Sequence, residues 1–210
     1  FNSCSKKDND IVISITDNLS EPTQNIDDDK IIEGKSYCEN GFAGIYPCKG
    51  YDLLSRIPLE YFESVEGNDS WGWTDSFDGK EYALMGLDDG TAFLDISDPE
   101  VPLYLGKLPS ATVNSSWRDI KVYEDYAFIV SEAPGHGLQV FDLSKLRSVK
   151  TQQTFDSDLN FNAFGNAHNI AINKESGFAY VLGSKLFDGG PAFIDINSPF
   201  IIFFFTSSNP

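Results

Sequence analysis

Basic residues are scarce. Lys and Arg total 15 against 32 Asp and Glu, a formal charge of −17 over 210 residues. A chain of that sign repels nucleic-acid backbones and anionic membrane surfaces, so neither is expected as a partner. Long apolar runs are missing as well. Nothing approaches the ~18–20 apolar residues that span a bilayer, and Phe200 to Phe205 falls far short. No nucleophile elbow, phosphate-cradling glycine loop, dinucleotide fingerprint, HExxH or CxxC pair is present. Histidine occurs only twice. What remains is apolar and aromatic enough, at 41% and 14%, to build a core.

That material is organised in repeats. From Trp71 to Gly106 the chain reads as four short strands separated by turns at Asp78-Gly79, Asp88-Asp89-Gly90 and Ser97-Asp98-Pro99. Two further segments, Trp117 to Leu146 and Ala167 to Pro199, repeat the pattern. Tyr82-Ala83-Leu84 corresponds to Tyr126-Ala127-Phe128 and to Phe178-Ala179-Tyr180. Leu94-Asp95-Ile96 corresponds to Phe141-Asp142-Leu143 and Ile194-Asp195-Ile196, with a glycine (Gly90, Gly137, Gly190) ahead of each. The anchoring Asp recurs after 47 and then 53 positions. Four strands per unit at a period of roughly 40–50 residues indicate β-propeller blades, and an all-β partial propeller is the expected fold. The competing reading is a β-sandwich with coincidental similarity.

Three cysteines leave an odd one. Cys38 and Cys48 flank a turn-rich loop and suit a disulfide, which would require an oxidising compartment; two free thiols are the alternative. Cys4 follows a small residue and precedes a polar tract, like the acylation site of a bacterial lipoprotein. The alternative is a secreted chain with a spare thiol. The expected organisation is a lipoprotein-like anchor and polar tether over 1–36, blades over 37–199, and a divergent end over 200–210. Asp27-Asp28-Asp29 in the tether lacks the spacing and glycine of a calcium loop. Gly41 to Phe62 looks like the last two strands of a further blade. The chain starts without Met and stops before a ring closes, so a fragment is expected, with the fourth strand after Pro199 missing.

The words CENGFAGIYPCKGYDLLSRIPL, WGWTD, GKEYALMGLDDGTAFLDISDPEVP, WRDIKVYEDYAFIVSEAPGHGLQVFDL and AHNIAIN, in this order, resemble the choice-of-anchor B family. Its LVIVD repeat reads here FLDIS, VFDLS and FIDIN. The resemblance implies a bacterial β-propeller held at the cell surface by a lipid anchor or a C-terminal sorting domain. It implies no established catalytic activity.

Propellers bind ligands at the central channel and the loops of one face. Aligning the repeats puts Trp73, Asp119 and Asn169 at equivalent positions on the first strands, expected to line the channel, with Trp71 and Trp117 also equivalent. Arg118 and His168 are neighbours, and His136 lies in the glycine-rich connection before a third strand. The functional reading is a pocket of Trp71, Trp73, Arg118, Asp119, His136, His168 and Asn169 binding a metal, a sugar or a carboxylate. The structural reading is that Asp119 and Asn169 tie adjacent blades while the tryptophans fill the joints. Asp95, Asp142 and Asp195 are expected to cap turns. Two functions remain open. One is a non-enzymatic module for a surface or extracellular protein or carbohydrate, touching a membrane only through Cys4. The other is an extracellular metal-assisted hydrolase or lyase using His168 and Asp119. No cofactor is assigned.

Overall fold

The computed structural model describes residue 32, residues 34–198 and the strand at 203–205. Cys4, Asp27-Asp28-Asp29 and nearly all of the tether lie outside the described residues. Within them the chain is all-β, with three short 3-10 turns. Among the described residues no helix is long and apolar enough to cross a membrane.

The first elements are β1 (Phe42–Ala43) and β2 (Tyr46–Pro47), a two-rung antiparallel hairpin. The Cys38–Cys48 disulfide staples its base, with the Cα atoms 5.8 Å apart. Asn40 and Gly41 both take positive φ in the turn that brings Glu39 opposite Phe42. The two sheet strands expected over Gly41 to Phe62 do not form. Beyond the hairpin there are single bridges, Ser36 to Leu53 and Ile32 to Arg56, and a 3-10 turn over Leu59–Phe62. Pro47 and Pro58 withhold ladder donors from this stretch.

Three larger sheets follow. The first contains β3 (Gly67–Thr74), β4 (Glu81–Leu87), β5 (Gly90–Asp95) and β6 (Leu103–Pro109), paired antiparallel in chain order. The second starts with β7 (Arg118–Tyr123), β8 (Tyr126–Ser131) and β9 (Leu138–Asp142). The chain then leaves the second sheet through a 3-10 turn, Leu143–Ser148, and lays β10 (Gln153–Thr154) parallel to β6 on the outer edge of the first. It returns as β11 (Leu159–Phe161), antiparallel to β9. This excursion occupies the interval in which the repeat lengthens from 47 to 53 residues. The third sheet is β12 (Asn169–Asn173), β13 (Phe178–Leu182), β14 (Ala192–Asp195) and β15 (Phe203–Phe205), again in order. Its fourth position is therefore filled by part of the aromatic run after Pro199, where the sequence reading left it vacant.

The repeated triplets hold one register. Ala83 faces Leu94, Ala127 faces Phe141 and Ala179 faces Ile194. Asp95, Asp142 and Asp195 each accept the backbone N–H two residues on, at 3.0, 2.9 and 3.0 Å, as expected of turn caps. The sheets stack face to face. One core joins the first and second through Leu84, Phe93, Ile120, Ile129 and Phe141. Another joins the second and third through Phe128, Val140, Ile170, Val181 and Ile194. Phe155, just past β10, seals the first joint edge-on to both Phe93 and Phe141. Full burial of such a ring contributes about 1.5–3 kcal/mol. The stacking sets β3, β7 and β12 side by side.

Candidate functional site

The starts of β3 and β7 each carry a carboxylate that faces the next sheet. Asp69 on β3 accepts the Ile120 N–H of β7 at 2.8 Å. Asp119 on β7 accepts the Ile170 N–H of β12 at 2.7 Å. The same clamp thus repeats from sheet to sheet. Asn169 holds the next position and donates its amide back to Asp119 at 3.2 Å. Asp69, Asp119 and Asn169 are spaced 50 residues apart.

Around these clamps lies a cleft of about 360 Å³ lined by Asn68, Asp69, Trp117, Arg118, Asp119 and Asn169. Trp117 is 41% exposed and lies parallel to the His168 ring, centroids 4.4 Å apart. Its indole N–H donates to the His168 carbonyl at 2.8 Å. Asn68 donates to the Ser116 carbonyl at 2.9 Å. Lys121, two residues along β7 from Asp119, pairs with that carboxylate and stands 3.8 Å from Asp69. Burial pushes the Asp69 carboxyl above its usual range, the Ile120 N–H opposes this, and the neighbouring Asp119 adds to the rise. Burial acts on Asp119 in the same sense, but Lys121, the Ile170 N–H, Asp69 and Asn169 outweigh it and hold that carboxyl low. Of the pair, Asp119 keeps its charge and Asp69 accepts a proton more readily.

A buried polar pair runs inward from the cleft lining. Arg118 is 1% exposed, donates to the Leu87 carbonyl at 3.1 Å and approaches His136 Nε2 at 2.8 Å. His136 is itself fully buried, with Nδ1 3.0 Å from the Gly137 carbonyl. Burial pushes His136 down to about 4; the Gly137 contact opposes this and the Arg118 charge adds to it. The ring is therefore neutral, donating from Nδ1 and accepting at Nε2. Burial also lowers Arg118 to about 10.

The seven residues expected in one pocket are thus divided. Arg118, Asp119 and Asn169 line the cleft, and His168 backs its tryptophan. His136 lies behind the wall rather than on it. His168 and Asp119, expected to act together as metal ligands or acid and base, are committed elsewhere. His168 Nδ1 meets Glu132 at 2.5 Å, and the Asp119 oxygens serve Lys121, Ile170 and Asn169. Among the described residues no three His, Cys, Asp or Glu side chains converge to hold a metal ion.

The two tryptophans of β3 are placed differently from expectation. Trp73 is 5% exposed and stacks on Tyr82, far along the strand from Asp69. Trp71 lies under Lys121, 4.4 Å from the ammonium, outside the cleft lining. Ladder register explains the slip. Tyr82 pairs with Trp73 and its counterpart Tyr126 pairs with Tyr123, so Trp73 matches Tyr123 and not Asp119. Trp71 likewise matches Lys121, and not Trp117. The true counterparts of Asp119 lie at Asn68-Asp69, where a register shift between Gly67 and Ser70 interrupts the ladder. Asn68 and Asp69 were missed for this reason. The 50-residue spacing from Asp69 to Asp119 to Asn169 was the signal that could have found Asp69.

No protein-family model, no curated protein and no solved structure matches this chain.

Proposed function

We propose that this chain contributes consecutive blades to a β-propeller of the choice-of-anchor B kind, held outside the cytoplasm, that binds an extracellular ligand without transforming it. The three four-stranded repeats, each clamped to the next through its first strand, support the propeller reading. The Cys38–Cys48 disulfide suits an oxidising compartment. The observation that carries the binding role is the cleft itself, where three sheets bring an exposed indole and four amide or carboxylate side chains together. Concave sites with a few convergent polar groups are where ligands bind, and roughly 300–1,000 Å³ is usual.

Immobilised protein would be tested against extracellular polysaccharides and surface proteins, with chromogenic esters and glycosides run beside them. Saturable binding that Trp117→Ala weakens, without turnover, is the expected result. Turnover abolished by Asp69→Asn would replace the binding reading with an enzymatic one.

A further inference from the structure

We infer that the cleft between β3, β7 and β12 takes the ring of an uncharged sugar, with Trp117 as its stacking platform. This rests on the binding-module reading and goes on to name the ligand class.

The platform comes first. Trp117 is braced on one face by the parallel His168 ring and tied by its N–H to the His168 carbonyl. An indole fixed in this way loses little entropy when a ligand settles on the face turned to the cleft. The polarised C–H face of a pyranose is a suitable partner for that surface.

The walls supply the rest. Asp69 spends Oδ2 on Ile120, and Asn169 spends one amide hydrogen on Asp119. Asp69 also shares a side-chain contact with the Asp119 carboxyl. The amide and carboxyl groups of this wall set acceptors beside donors, the pattern that vicinal hydroxyls satisfy because each O–H both gives and takes.

Charge selects the neutral ring. An anionic ligand would face Asp119, kept ionised by its partners, and Asp69 beside it. A cationic one would face Arg118 in the lining and Lys121, which pairs with Asp119 beside it. Lys121 already pairs with Asp119, so that pair of charges is satisfied within the site.

The test is calorimetric titration of the full chain with glucose, galactose, mannose, N-acetylglucosamine and their disaccharides. Glucuronate and glucosamine serve as charged counterparts. At least one neutral sugar is expected to bind saturably, with its charged counterpart at least tenfold weaker. Trp117→Ala should weaken binding at least tenfold while circular dichroism is unchanged. Asn169→Ala gives a second reading should Trp117→Ala fail to fold. Tyr51→Ala, at an exposed position past the hairpin, should leave binding within twofold. The inference is overturned if no neutral sugar binds, if a charged counterpart binds as well, or if the cleft variants bind normally. A surface protein captured through Trp117 with no sugar bound would remove the sugar and leave the binding module standing. Failure of both would remove both.

Discussion

Asp75 shows how much one side chain can carry. It is fully buried, and Arg147 grips it with two bonds of 2.5 and 2.7 Å. The guanidinium also lies over Phe77 and beside Trp73, so the pair locks the second sheet to the end of β3. Asp75→Ala should lower the urea midpoint at pH 7, because it removes the carboxylate that accepts both Arg147 bonds. The Arg147 bonds, against burial, hold the Asp75 carboxyl below its usual range. Its contribution is therefore complete above the unfolded carboxylate value of about 4 and is lost as pH falls through the lower folded value. Stability measured from pH 7 downward should fall in that acid window, and less steeply in Asp75→Asn. Asp69 has the opposite sign, since its folded carboxyl is raised. Asp69→Asn keeps an acceptor for Ile120 and removes a charge the fold disfavours. It should match or exceed wild-type stability at pH 7, by up to about 1 kcal/mol, whereas Asp69→Ala should be less stable than wild type.

Among the elements, β10 depends most on a single glycine. Gly106 sits at φ +135°, and a Cβ built there would lie 1.8 Å from the Gln153 carbonyl oxygen. Gly106→Ala should expel β10 from the edge of the first sheet. Hydrogen exchange would then speed up at the Phe155 amide, which donates to the Lys107 carbonyl, and stay unchanged across β12 to β14. Nothing in Gln153-Thr154 announces a strand, because two polar residues carry no periodicity and their partner is chosen by tertiary approach. The strands that were legible, such as β4, β5 and β8, are apolar runs between strong turns, and their repeated triplets fixed the register by themselves. The first half of β3 was not legible. Gly67-Asn68-Asp69-Ser70 has the composition of a turn, and it is a strand only because β4 pairs with it and β7 packs beside it. Two of the six residues that line the cleft were hidden in those four. The other four, Trp117-Arg118-Asp119 and Asn169, were visible because they lie at the openings of strands with clear apolar patterns.

At the scale of the molecule, the disulfide hairpin forms a two-stranded sheet of its own, distinct in pairing from the three large ones. The hairpin has its own two rungs, while each large sheet joins a core shared with its neighbour. Replacing both Cys38 and Cys48 by Ser should cost the hairpin about 2–3 kcal/mol of local stability. Faster amide exchange at Phe42 would report it, with the sheet amides as protected as before. If the sheets loosened too, the hairpin would have to be counted as part of the common core.

The path of the chain between β9 and β11 has a mechanical meaning. A strand donated to the first sheet lies, in sequence, between two strands of the second, so neither sheet can be drawn out while the other stays whole. The third sheet has no such stitch. Under tension applied between Gly34 and Asp195 in an optical trap, the third sheet should peel away first. The first two should then give way in one rupture from Gly67 to Phe161, releasing about 330 Å of extended chain. Two separate ruptures in place of that one would mean that β10 slips off before the sheets do.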